Sequence, residues 1–154
     1  MSEVLEAVRP QGEQQALHQQ VGALCYRITA KGRVKVLLVT SRRTRRWIIP
    51  KGWPMAGKSA AQAAGVEAWE EAGVTGEALD MPIGRFTYDK VREAAPNLRC
   101  RVDVFALKVN KLADRFPERE DRLRVWMSLS RAAKQVAEPE LAALLRSFSP
   151  KGLQ

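Results

Sequence analysis

The sequence predicts a single domain of mixed α/β (α+β) layers, and three observations support this fold class. Strand-like apolar segments lie on both sides of one alanine-rich helical segment, and two shorter helical segments follow near the C-terminus. No internal repeat or low-complexity linker divides the 154 residues, a length that suits one domain. Strands and helices do not alternate regularly, so we do not expect a doubly wound parallel sheet.

The N-terminal part is predicted to form an arm followed by a β-hairpin. Residues 1–18 carry scattered charge and a Pro10-Gln11-Gly12 break, so we expect a flexible arm. Gln20 to Thr29 and Val34 to Ser41 are two apolar strands, and the intervening Lys31-Gly32 is a turn. The second strand is apolar enough to be central in a sheet.

The middle of the chain is predicted to contain the main helix. A short apolar strand over 47–49 and a Gly/Pro-punctuated loop over 51–58 lead into it. The helix is expected over Ala60 to Ala72, with Ser59 as N-cap and Gly73 as C-cap. The acidic residue of a capping box is missing, and a glutamine stands at that position.

The C-terminal half is predicted to complete the sheet and to end in helices. The expected strands are Glu77 to Lys90, Leu98 to Asn110 and Arg124 to Met127, and the expected helices are Leu129 to Val136 and Glu138 to Phe148. The charged stretch from Asp114 to Arg122 is expected to be irregular. We expect residues 149–154 to form a C-terminal tail.

Composition narrows the choice of partners and location. The net charge of +9 and the pI near 10.1 favour anionic partners such as polyphosphates, nucleotides or nucleic acid, without choosing among them. No apolar run approaches the length of a membrane span and no signal peptide is evident, so we expect a cytoplasmic protein without a membrane partner. Cys25 and Cys100 lie outside any metal-ligand spacing and are expected to be buried thiols.

Three glutamates form the most informative cluster. Glu67, Glu70 and Glu71 are spaced i, i+3, i+4, so a helix places them on one face. Three carboxylates on one face repel each other unless a cation lies between them. Hard oxygen ligands on one rigid element suit Mg²⁺ or Mn²⁺. The alternative is a solvated acidic helix face.

The segment from Gly52 to Val74 resembles the Nudix box, G-x5-E-x7-R-E-U-x-E-E-x-G-U with U bulky and apolar. Six positions match at the expected spacing: Gly52, Glu67, Glu70, Glu71, Gly73 and Val74. Two positions depart from it, because Lys58 replaces the first glutamate and Val66 replaces the arginine, and Ala68 is a small residue where a larger apolar one is usual. Over roughly residues 20–145 the chain also resembles the Nudix subgroup that includes diphosphoinositol polyphosphate and diadenosine polyphosphate hydrolases.

The resemblance implies a fold, a cofactor and an activity. The fold would be a mixed β-sheet sandwiched between helices over residues 19–148. The carbonyl of Gly52 and the carboxylates of Glu67, Glu70 and Glu71 would hold Mg²⁺ or Mn²⁺, and Glu70 or Glu67 would also activate the attacking water. The reaction would be hydrolysis of a phosphoanhydride bond in a highly anionic small molecule.

A basic loop forms the second candidate constellation. Its arginines border the expected metal helix, and lysines lie nearby: Arg42, Arg43, Arg45, Arg46, Lys51 and Lys58. In the resembled subgroup, basic residues of the equivalent segment contact phosphates, a role that suits the planar arginine fork. The alternative is an ordinary solvated hairpin tip.

Several alternatives stay open from sequence. An RNA 5′-pyrophosphohydrolase is a second enzyme class, although no aromatic platform for an unstacked base can be identified. A catalytically weak Nudix domain that binds polyphosphates without turnover is the non-enzymatic alternative, because Lys58 and Val66 depart from the box. The sequence does not choose between monomer and homodimer. Glu118 and Glu120, in the late charged loop, are expected to be exposed acids, and neither is selected as a general base.

Overall fold

The computed structural model describes residues 16–153, which contain nine strands and three helices. The strands are β1 His18–Ile28, β2 Val34–Thr40, β3 Trp47–Ile48, β4 Lys51–Gly52, β5 Val74–Thr75, β6 Gly84–Lys90, β7 Leu98–Lys108, β8 Lys111–Leu112 and β9 Arg124–Ser128. The helices are α1 Ala60–Ala72, α2 Leu129–Gln135 and α3 Pro139–Ser147. Most of the predicted N-terminal arm, residues 1–15, lies outside the described residues.

The main sheet is mixed, as the sequence predicted. Its strand order is β9-β2-β1-β7-β6, with β3 added beside β2 and β4 beside β1. The long pairing of β1 with β7 is parallel, whereas β2 pairs antiparallel with both β1 and β9, and β6 pairs antiparallel with β7. The predicted hairpin of the first two strands is therefore present. Strands β5 and β8 form a separate two-stranded sheet.

Helices cover both faces of the main sheet. The alanines of α1 pack with Val21, Leu37 and Phe105 on one face. On the other face, α2 and α3 pack through apolar residues such as Leu141 and Leu145. The layers confirm the predicted fold class. Within residues 16–153, no helix combines the length and the apolar character that a membrane span requires.

The ends of α1 follow its sequence signals. The Ser59 hydroxyl accepts a hydrogen bond from the Gln62 amide at 3.1 Å, and the Gln62 side chain accepts one from the Ser59 amide at 2.8 Å. Glutamine thus completes a capping box without an acidic residue. At the other end, Gly73 adopts φ 69° and closes the helix in the left-handed conformation. The predicted bounds of this helix agree with the structure.

Two predicted strand boundaries were wrong. Lys51–Gly52 was expected in a loop, but it forms β4, whose Gly52 pairs with Val21 of β1. The strand expected from Glu77 begins only at Gly84, because the preceding segment is irregular. Gly76 turns the chain at φ 148° and Pro82 has no amide hydrogen to donate, so regular pairing starts after them.

Replacing Gly65 with alanine is expected to stabilise the protein by about 1 kcal/mol, because glycine in a helix interior costs that much relative to alanine. An added Cβ at this position meets no atom within 4 Å. Chemical denaturation of wild type and Gly65→Ala measures the difference. Gly73→Ala is the control and should destabilise the protein. Gly73 has φ 69°, which disfavours alanine, and an added Cβ would lie 2.8 Å from the Arg124 guanidinium. If the Gly65→Ala variant were less stable than wild type, this prediction would be wrong.

Candidate active site

A single cavity brings the two predicted constellations together. It has a volume of about 430 Å³ and lies where β1, β4 and α1 meet the loops over 41–46 and 114–123. The lining residues come from every one of these elements: Gln20, Ser41, Arg42, Arg43, Thr44, Arg46, Ile48, Lys51, Gly52, Trp53, Glu67, Glu71, Tyr88, Asp89, Lys90, Val91, Glu118 and Arg122. Glutamates and basic residues therefore share one concave site.

Glu67 and Glu71 are buried between α1 and β4. Their relative exposures are 9% and 4%, and the two carboxyl groups lie close enough for each to affect the pKa of the other. The amide of Lys51 donates a hydrogen bond to Glu71 Oε1 at 3.3 Å. A Cβ at Gly52 would collide with the Glu67 carboxylate, with Oε1 only 2.7 Å away. Glycine is therefore required where β4 passes the acidic face of α1.

This burial changes the proton affinity of both carboxyl groups. Burial raises the pKa of Glu71 to about 8, although the nearby Arg122 opposes the shift. Burial likewise raises the pKa of Glu67, and the neighbouring Glu70 adds to the effect. Two adjacent carboxylates cannot both ionise cheaply in this setting unless more positive charge reaches them. The Glu67–Glu71 pair therefore favours the binding of a cation.

The residues present fit a hard divalent cation in part. Among residues 16–153, no three His, Cys, Asp or Glu side chains converge into a complete ligand set. Two carboxylates, from Glu67 and Glu71, do lie together beside the backbone of Gly52. Mg²⁺ is commonly held by one or two carboxylates, with water and substrate phosphates filling its remaining positions. Glu70 is half-exposed on the same helix and does not line the cavity.

A buried ion-pair cluster closes the acidic side of the cavity, and sequence reasoning missed its arginine. Arg122 Nε donates to Glu118 Oε1 at 2.8 Å, Nη1 donates to the Thr40 carbonyl at 2.9 Å, and Nη2 lies 3.8 Å from Glu71 Oε1. Glu118 lines the cavity, whereas Glu120 is exposed outside it. Both glutamates were expected to be exposed loop acids, and for Glu118 this was wrong, because its loop folds back onto α1.

The basic loop contributes three of its four arginines to the cavity. Arg42, Arg43 and Arg46 line it, whereas Arg45 adopts φ 55° and donates through Nη1 to the Asp121 carbonyl at 3.2 Å. Lys58 is exposed and lies outside the lining residues.

The three lining arginines already have acidic neighbours. Arg42 pairs with Asp121 at 3.8 Å, Arg43 with Glu93 at 2.8 Å and Arg46 with Glu138 at 4.0 Å. The pairs of Arg42 and Arg43 are exposed on both sides, so they are weak and an incoming anion can displace them, whereas the Glu138 partner of Arg46 is buried.

Lys51 places a buried ammonium group in the cavity. Its Nζ lies 4.6 Å from the centre of the Tyr88 ring, and the Tyr88 hydroxyl donates to Gln20 Oε1 at 2.7 Å. Burial lowers the pKa of Lys51 to about 8, against the attraction of Glu71. Lys90, which sequence reasoning did not single out, adds a further positive charge to the lining. Its position became visible only with the pairing of β6 and β7.

Val66 and Trp69 lie on another side of α1. Together with Gly65 and Thr75 they line a separate surface depression, away from the glutamate cavity. Trp69 therefore lies on a different face of the helix from the Glu67–Glu71 pair. Trp53, in contrast, is 42% exposed and lies in the lining of the main cavity.

The comparisons with known proteins agree with this geometry. The profile of the NUDIX domain matches residues 18–148. The chain belongs to the Nudix family. Among solved structures, it is similar to a C. elegans Ap4A hydrolase in a binary complex, with 26% identity and a TM-score of 0.65 over 84% of this chain and 93% of that one. The family prediction and the predicted Nudix fold are therefore confirmed.

Two curated relatives come from Arabidopsis thaliana. Nudix hydrolase 4 is 37% identical over 64% of this chain and 46% of its own length. Nudix hydrolase 21, a chloroplastic protein, is 32% identical over 84% of this chain and 65% of its own length. The chain thus spans about half to two thirds of the curated relatives it matches. Together, these similarities support membership of the Nudix family.

The metal-free protein is expected to lose stability as pH rises from about 5 to 8. Burial raises the pKa of the Glu71 carboxyl from its ordinary value of 4.5 to about 8, so the folded state binds this proton more tightly than the unfolded state does. Stability is therefore full below pH 4.5 and declines as Glu71 ionises, by at least about 1 kcal/mol at pH 8.5. Denaturation at pH 6 and 8.5 in EDTA measures the change.

Glu71→Gln is the control for this pH dependence. It keeps the side-chain shape but cannot ionise, so the dependence over this range should flatten. An equal loss of stability in wild type and Glu71→Gln would assign the effect to another group.

Proposed function

We propose that this chain is a Mg²⁺- or Mn²⁺-dependent Nudix hydrolase that cleaves a phosphoanhydride bond in a highly anionic substrate. Diphosphoinositol polyphosphates and diadenosine polyphosphates are the leading classes. One observation carries the proposal, namely that a buried carboxylate pair and a set of basic side chains face each other across one cavity. The similarity to a C. elegans Ap4A hydrolase supports the same class.

The acidic side of the cavity has the role of holding the cation. Glu67, Glu71 and the Gly52 carbonyl are the proposed ligands, and Glu70 would join them from the same helix face. The bound ion would neutralise phosphate oxygens and lower the pKa of a water molecule. Glu67, which lines the cavity, or Glu70, which lies outside the lining on the same helix, would accept the proton of the attacking water.

The basic side of the cavity has the role of holding the polyphosphate. Arg42, Arg43 and Arg46 offer exposed guanidinium forks, and Lys51 offers a fixed ammonium group at the base of the site. Positioning the phosphates against the acidic side supplies most of the catalysis expected in such reactions. Arg45 and Lys58 stay secondary candidates, since they lie outside the lining residues.

The proposal includes a cytoplasmic location for the protein. It does not choose between a monomer and a homodimer.

Phosphate release from a substrate panel tests the proposal. The panel contains a diphosphoinositol polyphosphate, a diadenosine polyphosphate, a nucleoside triphosphate and a 5′-triphosphorylated RNA. Turnover should require Mg²⁺ or Mn²⁺ and should fall at least about 100-fold in Glu67→Gln and Glu71→Gln, because each removes one charged ligand. Glu120→Gln is the matched control, because this loop glutamate is exposed outside the cavity and should keep near wild-type activity.

The same panel separates the alternatives. Fastest turnover on RNA, with a steep loss of binding as salt increases, would favour the RNA 5′-pyrophosphohydrolase class. Thermal stabilisation by a polyphosphate without any released phosphate would favour a binding domain.

Restoring the box arginine alone, as Val66→Arg, is expected to change kcat less than about threefold. Val66 lines the depression beside Trp69 and not the glutamate cavity, so the new charge would point away from the Glu67–Glu71 pair. Steady-state kinetics on the best substrate of the panel measure this effect. A gain in kcat of tenfold or more would show that the departure at Val66 limits the enzyme.

A further inference from the structure

We propose that Arg122 is a positioning residue that fixes Glu71 and Glu118 on the acidic side of the cavity, from a loop outside the glutamate helix. The inference rests on the proposed function, because it assigns a role within the same site. Arg122 does not belong to the Nudix box, and it lies 48 residues beyond the last box position, Val74.

All three nitrogens of the Arg122 guanidinium are engaged within the protein. Nε holds Glu118 at 2.8 Å, Nη1 holds the Thr40 carbonyl at 2.9 Å and Nη2 faces Glu71 at 3.8 Å. The side chain is only 9% exposed. A buried arginine with this many fixed partners sets the orientation of the carboxylates around it.

The loop that carries Arg122 is itself anchored at both ends. The Glu118 amide donates to the Glu70 carbonyl at 2.9 Å, which attaches the loop to α1. The Leu123 amide donates to Thr40 Oγ1 at 2.9 Å, and the Thr40 amide donates to the Leu123 carbonyl at 3.1 Å. These backbone contacts therefore hold the Arg122 guanidinium at the junction of α1 and the end of β2.

No other cation in the described part of the chain takes this place. Within residues 16–153, Arg122 is the residue that forms an ion pair with a glutamate of α1. Val66, where the Nudix box has arginine, carries no charge and lines a different depression. Lys51 donates its backbone amide to Glu71, and its ammonium group attracts Glu71 electrostatically but lies over the Tyr88 ring and forms no salt bridge with that carboxylate.

Exposure separates Arg122 from the arginines proposed to bind phosphate. Arg42, Arg43 and Arg46 have side-chain exposures of 58%, 49% and 46%. Arg42 and Arg43 can exchange a carboxylate partner for a phosphate without leaving a buried charge unpaired, because Asp121 and Glu93 are exposed, whereas Glu138, the partner of Arg46, is buried. Arg122 cannot do so, because its departure would leave Glu118 and Glu71 buried without their cation.

Arg122→Lys tests the role, because lysine keeps the positive charge but cannot hold three partners in a planar fork. Mn²⁺ binding is measured by electron paramagnetic resonance without substrate, and kcat and KM are measured on the best substrate. Both Mn²⁺ affinity and kcat should fall by about 10-fold or more, the usual cost of losing a group that orients a metal ligand. The substrate KM should change less than about threefold.

Arg124→Lys is the matched control. Arg124 is also partly buried, donates to the Ala72 carbonyl at 2.7 Å and stacks on Phe116, but it does not line the cavity. The Arg124→Lys variant should lose thermal stability and should keep the Mn²⁺ affinity and kcat of the wild type. All assays are run at a temperature at which circular dichroism shows each variant folded, so that a loss of fold is not mistaken for a loss of positioning.

Each outcome distinguishes the proposals. Unchanged Mn²⁺ affinity and kcat with a raised KM would make Arg122 a substrate ligand and overturn the positioning role. Equal losses in Arg122→Lys and Arg124→Lys would reduce the role to general stability. If wild type binds Mn²⁺ but hydrolyses nothing on the panel, the proposed function fails, and the Mn²⁺ affinities alone still decide the role of Arg122. A wild-type protein that binds no Mn²⁺ would overturn both.

Discussion

The close contact between α1 and the sheet is the constraint on which the site depends. The buried apolar face of α1 consists of alanines, Ala61, Ala63, Ala64, Ala68 and Ala72, so the helix backbone can approach the strands closely. Longer side chains would hold the helix away from the sheet. Because the helix lies this close, Glu67 meets the backbone of β4, and only a glycine fits at position 52. The small residue at Ala68, where the family pattern has a bulkier one, agrees with this arrangement.

The close approach has an electrostatic cost. Glu67 and Glu71 are taken out of water together, and burial raises the pKa of both. Arg122 and the amide of Lys51 offset part of that cost, yet the mutual repulsion of the two carboxylates persists once both ionise. A divalent cation would remove the repulsion and stabilise the fold at the same time. Metal binding and stability in this chain are therefore expected to be coupled through the same two side chains.

The parts of the site that could be predicted depend on patterns between residues that are close in the sequence. The i, i+3, i+4 spacing of the glutamates, the Ser59 and Gly73 caps and the basic loop all act within a few residues of the chain. Arg122 and Glu118 are only four residues apart, but their contacts with Thr40 and α1 join distant parts of the chain and form only when the loop folds, so their place in the site escaped prediction. The pairing of β4 with β1 was missed for the same reason. The outward direction of Arg45 follows from its backbone at φ 55°, which no residue pattern revealed.

Two kinds of basic side chain therefore line the cavity. The arginines of the loop over 41–46 are half-exposed and weakly paired, and they can rearrange around phosphates of different number and spacing. Arg122 and Lys51 are buried and fixed, and they define the side of the cavity on which the carboxylates stand. Under the proposed function, the fixed set would support the chemistry and the exposed set would select the polyphosphate. Changes in the 41–46 loop would then alter which substrate is bound without changing the bond that is broken.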